Sequence, residues 1–91
     1  MKKKIVYVPL AVDFLHEGHI NILRIAKKYG DVTVGLLTDE AIANYKSIPI
    51  LDYKNRKLLV ENLKYVSKVV PQKTEDYSYN LNKIKPNFFV H

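Results

Sequence analysis

The chain predicts an α/β domain: a doubly wound parallel sheet with helices on both faces, three layers in all. Three observations carry this. Short β-rich apolar runs alternate with stretches in which apolar residues recur at helical spacing, the pattern of strand–helix–strand units. Cap and stop residues bracket the helical stretches. The stretch Asp13-Phe14-Leu15-His16-Glu17-Gly18-His19 lies where the first strand hands over to the first helix, and such sheets bind ligands beyond the carboxyl ends of their strands.

Taken in order, Lys3 to Val8 is β-rich with weak alternation and lies in an apolar run reaching Leu10, so it reads as a buried strand. The first helix is expected from about Gly18 to Tyr29, with Ile22, Ile25, Ala26 and Tyr29 on one face and Gly30 as its stop. Asp31 to Leu37 reads as a second strand. Thr38 can cap a short helix with Asp39 and Glu40 in its first turn, fading near Tyr45. Lys46 to Leu51 contains Pro49 and reads as loop. Asp52 can cap the next helix, expected to bury Leu59, Leu63 and Val66. Lys68 to Val70 reads as a short strand stopped by Pro71. Tyr77, Leu81 and Ile84 recur at helical spacing, Pro86 ends that helix, and Asn87 to Val90 starts another strand. Crossovers between parallel strands are expected to be right-handed.

Ninety-one residues make one small domain with a modest core. Hydrophobic content of 47% and charged content of 26% are ordinary for a globular protein. The absence of cysteine excludes disulfides and thiolate metal sites. No apolar run reaches spanning length, and Met1-Lys2-Lys3-Lys4 is followed by too short an apolar run for a secretory signal, so a cytoplasmic setting without membrane contact is expected. The net charge of +6 comes from lysines that are scattered apart from the first three; it suits a phosphorylated small substrate better than nucleic acid.

The residues from Asp13 to His19 point to an anion. Backbone amides at a helix start are unpaired and carry the positive end of the helix dipole. Gly18 removes a side chain where a phosphate could approach the backbone. His16 and His19, three apart, share a side of a helical first turn. Asp13 with these two histidines could instead hold a metal, and polar surface residues placed there by chance would look the same.

His16-Glu17-Gly18-His19 also matches the HxGH signature of the nucleotidyltransferase superfamily, with Asp13 three residues ahead as in that superfamily. The likeness continues through Val34-Gly35-Leu36-Leu37-Thr38-Asp39-Glu40-Ala41, Lys46, Tyr53-Lys54-Asn55-Arg56-Lys57 and Val60-Glu61-Asn62-Leu63-Lys64-Tyr65-Val66. The chain resembles the cytidylyltransferase branch, similar to glycerol-3-phosphate cytidylyltransferase, and more closely the cytidylyltransferase-like domain joined to phosphoenolpyruvate mutase in phosphonate biosynthesis. The resemblance implies a Rossmann-like sheet of order 3-2-1-4, with the topological switch between the first and last strands and Asp13, His16 and His91 around one crevice.

It further implies transfer of a cytidylyl group from CTP to a small phosphate or phosphonate acceptor such as 2-aminoethylphosphonate. His16, His19 and Lys46 would act on the nucleotide phosphates. Leu10, Ala11, Asp13, Gly18, Arg56 and His91 would line the nucleotide site, and Mg²⁺ would bridge phosphate oxygens, with Asp13 as its candidate ligand. For Arg56 the alternative is a solvated first-turn arginine; Lys64 is a lesser candidate. A homodimer is compatible with the resemblance. Two other readings stand beside it: a nucleotide-binding module without turnover, and an adenylyltransferase using ATP. Leu10-Ala11-Val12 stands where many relatives have Gly-Thr-Phe. Relatives continue after the last strand into a Gly-Asp-Asp-Trp stretch and a later Ser/Thr-rich motif. Residues 1–91 therefore read as the N-terminal part of a longer protein, inactive alone.

Overall fold

In the computed structural model, residues 4–11, 17–43, 51–74 and 76–90 are described. They form β1 (Ile5–Leu10), α1 (Glu17–Lys27), β2 (Asp31–Leu37), α2 (Asp39–Ala43), α3 (Tyr53–Glu61), β3 (Val66–Gln72), α4 (Ser78–Ile84) and β4 (Phe88–Phe89). The sheet is parallel throughout in the order β3-β2-β1-β4, so the 3-2-1-4 order holds. The expectations for Asp13, His16, Lys46 and His91 fall outside the described residues.

Alternation along the strands sets the layers. Val6, Val8 and Leu10 of β1 and Val32, Val34 and Leu36 of β2 pack on one face with Leu23 and Ala26 of α1 and Val60 of α3. Tyr7 and Gly35 belong to the opposite face, where Asn80 of α4 donates to the Tyr7 hydroxyl at 2.8 Å. That hydroxyl in turn donates to Gln72 Oε1 of β3 at 2.6 Å. The Tyr7 ring reaches β3 by passing over β2 at Gly35, where a Cβ would overlap both the Tyr7 hydroxyl and the Gln72 side chain. Asn80 Nδ2 also donates to the Pro71 carbonyl, and Gln72 Nε2 to that of Thr74. The network is buried and joins the first strand, the edge strand and the last helix.

Pro9 lies inside β1 without interrupting it. Ile5 accepts from the Asn87 amide and Tyr7 from the Val90 amide, so the odd-numbered residues of β1 turn their backbone groups toward β4. The N–H that Pro9 lacks therefore belongs to the β4 side, and the β1–β2 ladder is intact through Leu10.

Four expectations need correction. On α1 the buried residues are Leu23 and Ala26, while Ile22, Ile25 and Tyr29 are exposed; the helix ends at Lys27, so Tyr29 falls beyond it. Gly30 does not cap the helix through a left-handed conformation. Its bare Cα fits because a side chain there would overlap the Lys4 carbonyl, which accepts from the Asp31 amide at 2.8 Å. On α3 the buried pair is Arg56 and Val60, while Leu59 is exposed and Val66 belongs to β3. Pro71 does not stop β3, which runs on to Gln72; as an edge strand it tolerates a proline. The caps hold. Thr38 Oγ1 accepts from the Ala41 amide at 3.2 Å, and Asp52 Oδ1 from the Asn55 amide at 2.9 Å.

Candidate active site

β1 lies between β2 and β4, so the winding direction reverses beside it, and its carboxyl end leads into α1. Leu10 is buried at that end, and half-buried Ala11 packs against the cluster of Leu37, Ala41 and Ile42. Gly18 and His19 sit in the first turn of α1, both half-buried. Of the sequence-predicted site, the described residues thus bring Leu10, Ala11, Gly18 and His19 to one end of the central strand. The first-turn amides of α1 there are suited to an anion.

Arg56 has an unexpected environment. Its side chain is 1% exposed, which excludes the solvated reading. Nη2 pairs with Asp39 Oδ1 at 2.8 Å, Nε donates to the Leu51 carbonyl at 3.0 Å, and Nη1 donates to the Ala11 carbonyl at 3.3 Å. Asp39 uses its other oxygen to accept from the Tyr53 amide at 3.1 Å. The guanidinium also lies 5.8 Å from the centre of the Tyr53 ring. Sequence reasoning missed the role of Asp39, which reads as an ordinary first-turn acid on α2; its partner is seventeen residues away.

Among the described residues the buried Tyr53 hydroxyl has no hydrogen-bond partner. Burial pushes its pKa up; the nearby Arg56 charge pulls it down and Glu61 pushes it up to a lesser extent. Among the described residues no three His, Cys, Asp or Glu side chains gather to form a metal cage. No helix among the described residues is long and apolar enough to cross a membrane.

A parallel sheet whose central strand feeds a helix start beside the switch point is a Rossmann-like domain with a ligand site at its carboxyl edge. The chain belongs to the cytidylyltransferase-like family, whose model matches residues 12–91. It is 40% identical over 74 residues to the glycerol-3-phosphate cytidylyltransferase of Bacillus subtilis, covering 80% of this chain and 56% of that protein. It is 33% identical over 78 residues to the FAD synthase of Archaeoglobus fulgidus, covering 86% of this chain and 57% of that one. The chain thus spans little more than half the length of these curated relatives. Among solved structures, a lipopolysaccharide core biosynthesis protein from Thermoplasma volcanium superposes with a TM-score of 0.89 at 29% identity, over 97% of this chain and 73% of that one. These likenesses support a nucleotidyltransferase and lend no support to the mutase-linked branch or to phosphonate biosynthesis.

Proposed function

We propose that the protein containing this chain transfers a cytidylyl group from CTP to a small phosphate-bearing acceptor. The observation that carries the reading is the family match running through the HxGH turn, with α1 opening at the carboxyl end of the central strand. An acceptor oxygen would form a bond to the α-phosphorus of CTP as the bond from that phosphorus to the bridging oxygen breaks, and pyrophosphate would leave. Such a reaction asks the protein for in-line positioning and for donors aimed at charge on the phosphoryl oxygens. The α1 amides, Gly18 and His19 would supply donors and close approach in this reading. His16 and Lys46 extend the set by resemblance. Mg²⁺ would neutralise charge on the phosphates when bound with the nucleotide, with Asp13 as its candidate ligand.

The likeness to an FAD synthase, whose product carries an adenylyl group, favours one alternative, a nucleotidyltransferase that uses ATP. Calorimetry with CTP, ATP and cytidine in the presence of Mg²⁺ separates the readings. CTP is expected to bind more tightly than ATP and far more tightly than cytidine. His19→Ala should weaken CTP by roughly 1.5–3 kcal/mol, the value of a phosphate contact to a charged group, while leaving the melting temperature in place. Equal affinity for CTP and cytidine would refute a phosphate site. Turnover is a separate matter. Residues 1–91 alone are expected to release negligible pyrophosphate from CTP and acceptor, because loose positioning of the acceptor is costly in rate.

A further inference from the structure

We propose that Arg56, paired with Asp39, is a positioning residue that holds the chain segments flanking the nucleotide site in register, and that it is not itself a phosphate ligand. The inference rests on the nucleotide-site reading above. Arg56 makes three directed contacts, and each lands on a different part of the chain. Nη1 holds the Ala11 carbonyl, immediately before the stretch that carries Asp13 and His16. Nη2 holds Asp39 at the head of α2, and Nε holds the Leu51 carbonyl. Asp39 and Leu51 lie on either side of the sequence that carries Lys46. Asp39 in addition holds the Tyr53 amide at the start of α3. One guanidinium thus fixes the entry to the HxGH turn and both flanks of the Lys46 segment against one another.

A direct phosphate role fits these facts poorly. The guanidinium is 1% exposed, its charge faces Asp39 at 2.8 Å, and its planar fork is already engaged on three sides. A lysine cannot reproduce a three-way fork, since its ammonium is a compact point charge on a flexible stem. Phosphate donors work only when placed to within a fraction of an ångström, so a group that sets the spacing of their supports acts on ligand binding without touching the ligand.

The test uses Arg56→Lys and Asp39→Asn, with two readouts. The first is amide hydrogen exchange of the unliganded chain. The second is CTP affinity with Mg²⁺. Both variants are expected to speed exchange about tenfold or more over residues 39–43 and 53–56 while the β1–β2 ladder keeps its protection. Both should weaken CTP about tenfold, and the double variant should show no further loss, because the two side chains act as one unit. If Arg56 were a phosphate ligand, Asp39→Asn would remove a competing carboxylate and tighten CTP, and exchange without nucleotide would not change; either result overturns the proposal. Uniform acceleration across the whole chain would also overturn it, leaving a merely structural ion pair. Asp39→Glu keeps both charges and carries the same test should Arg56→Lys fail to fold: faster exchange confined to those segments supports the proposal, and exchange unchanged with weaker CTP overturns it. Failure of the wild-type chain to bind CTP would refute the proposed function, while the exchange arm still decides whether the clamp exists.

Discussion

Replacing Tyr7 by Phe removes one oxygen from a buried site in which it serves two partners. The hydroxyl donates to Gln72 Oε1 at 2.6 Å and accepts from Asn80 Nδ2 at 2.8 Å. Asn80 retains its bond to the Pro71 carbonyl, so the group left bare is Gln72 Oε1, on a residue 3% exposed. Leaving one buried acceptor unsatisfied costs about 1–3 kcal/mol. For a domain of this size that lowers the melting temperature by roughly 4–8 °C per kcal/mol. Urea unfolding should show the midpoint falling with an unchanged slope. Tyr29→Phe, on an exposed ring, is the control and should stay within about 0.5 kcal/mol. The same variant carries a pH signature. Burial raises the Tyr7 pKa above its ordinary value of 10.0, with the Asn80 hydrogen bond opposing more weakly. A folded-state pKa above the unfolded one means that stability is full below about pH 10 and falls as pH rises beyond it. Tyr7→Phe should therefore flatten the alkaline fall, leaving the smaller part due to Tyr53. A loss under 0.5 kcal/mol with an unchanged alkaline limb would refute the account of Tyr7 as the tie between β1, β3 and α4.

Asp52→Ala removes the α3 cap to the Asn55 amide and should cost about 1 kcal/mol in chemical denaturation; no change would show that the cap is solvent-replaceable. Tyr53→Phe deletes a buried hydroxyl that has no partner among the described residues, so stability should hold or rise by up to about 1–3 kcal/mol, the penalty for an unmet polar group. A clear decrease in the urea midpoint would show that the hydroxyl is hydrogen-bonded in solution.

The order of elements was legible in the sequence because alternation and caps are local. Strand β2, the Thr38 and Asp52 caps and the buried run of β1 could all be read from neighbouring residues. What failed was the choice of buried face where apolar residues surround a helix. On α1, Ile22 and Ile25 flank the stripe made by Leu23 and Ala26, and Ile25 remains 44% exposed. On α3, the sequence left a solvated Arg56 open beside a ligand role, since the half-exposed carboxylate that pairs with the buried guanidinium is supplied by α2. The Tyr7–Gln72–Asn80 network was equally out of reach: its members lie 65 and 73 residues from Tyr7, and only the close approach that Gly35 permits brings them together. At the candidate site, the HxGH residues were legible as a motif, and the structure adds the support beneath Ala11 that no motif contains.

Pro9 has a bearing on the mouth of the site. The Val90 amide donates to the Tyr7 carbonyl, so the rung that would follow in a parallel ladder is a bond from the residue-9 amide to the Val90 carbonyl. Proline has no hydrogen to give. The seam between β1 and β4 therefore forgoes that one bond, while the Pro9 carbonyl on the same side can still accept. The forgone bond lies two residues before Ala11, at the carboxyl end of β1. A non-proline residue at this position would restore a donor on the β4 side and let the two strands hold each other one rung closer to the candidate site.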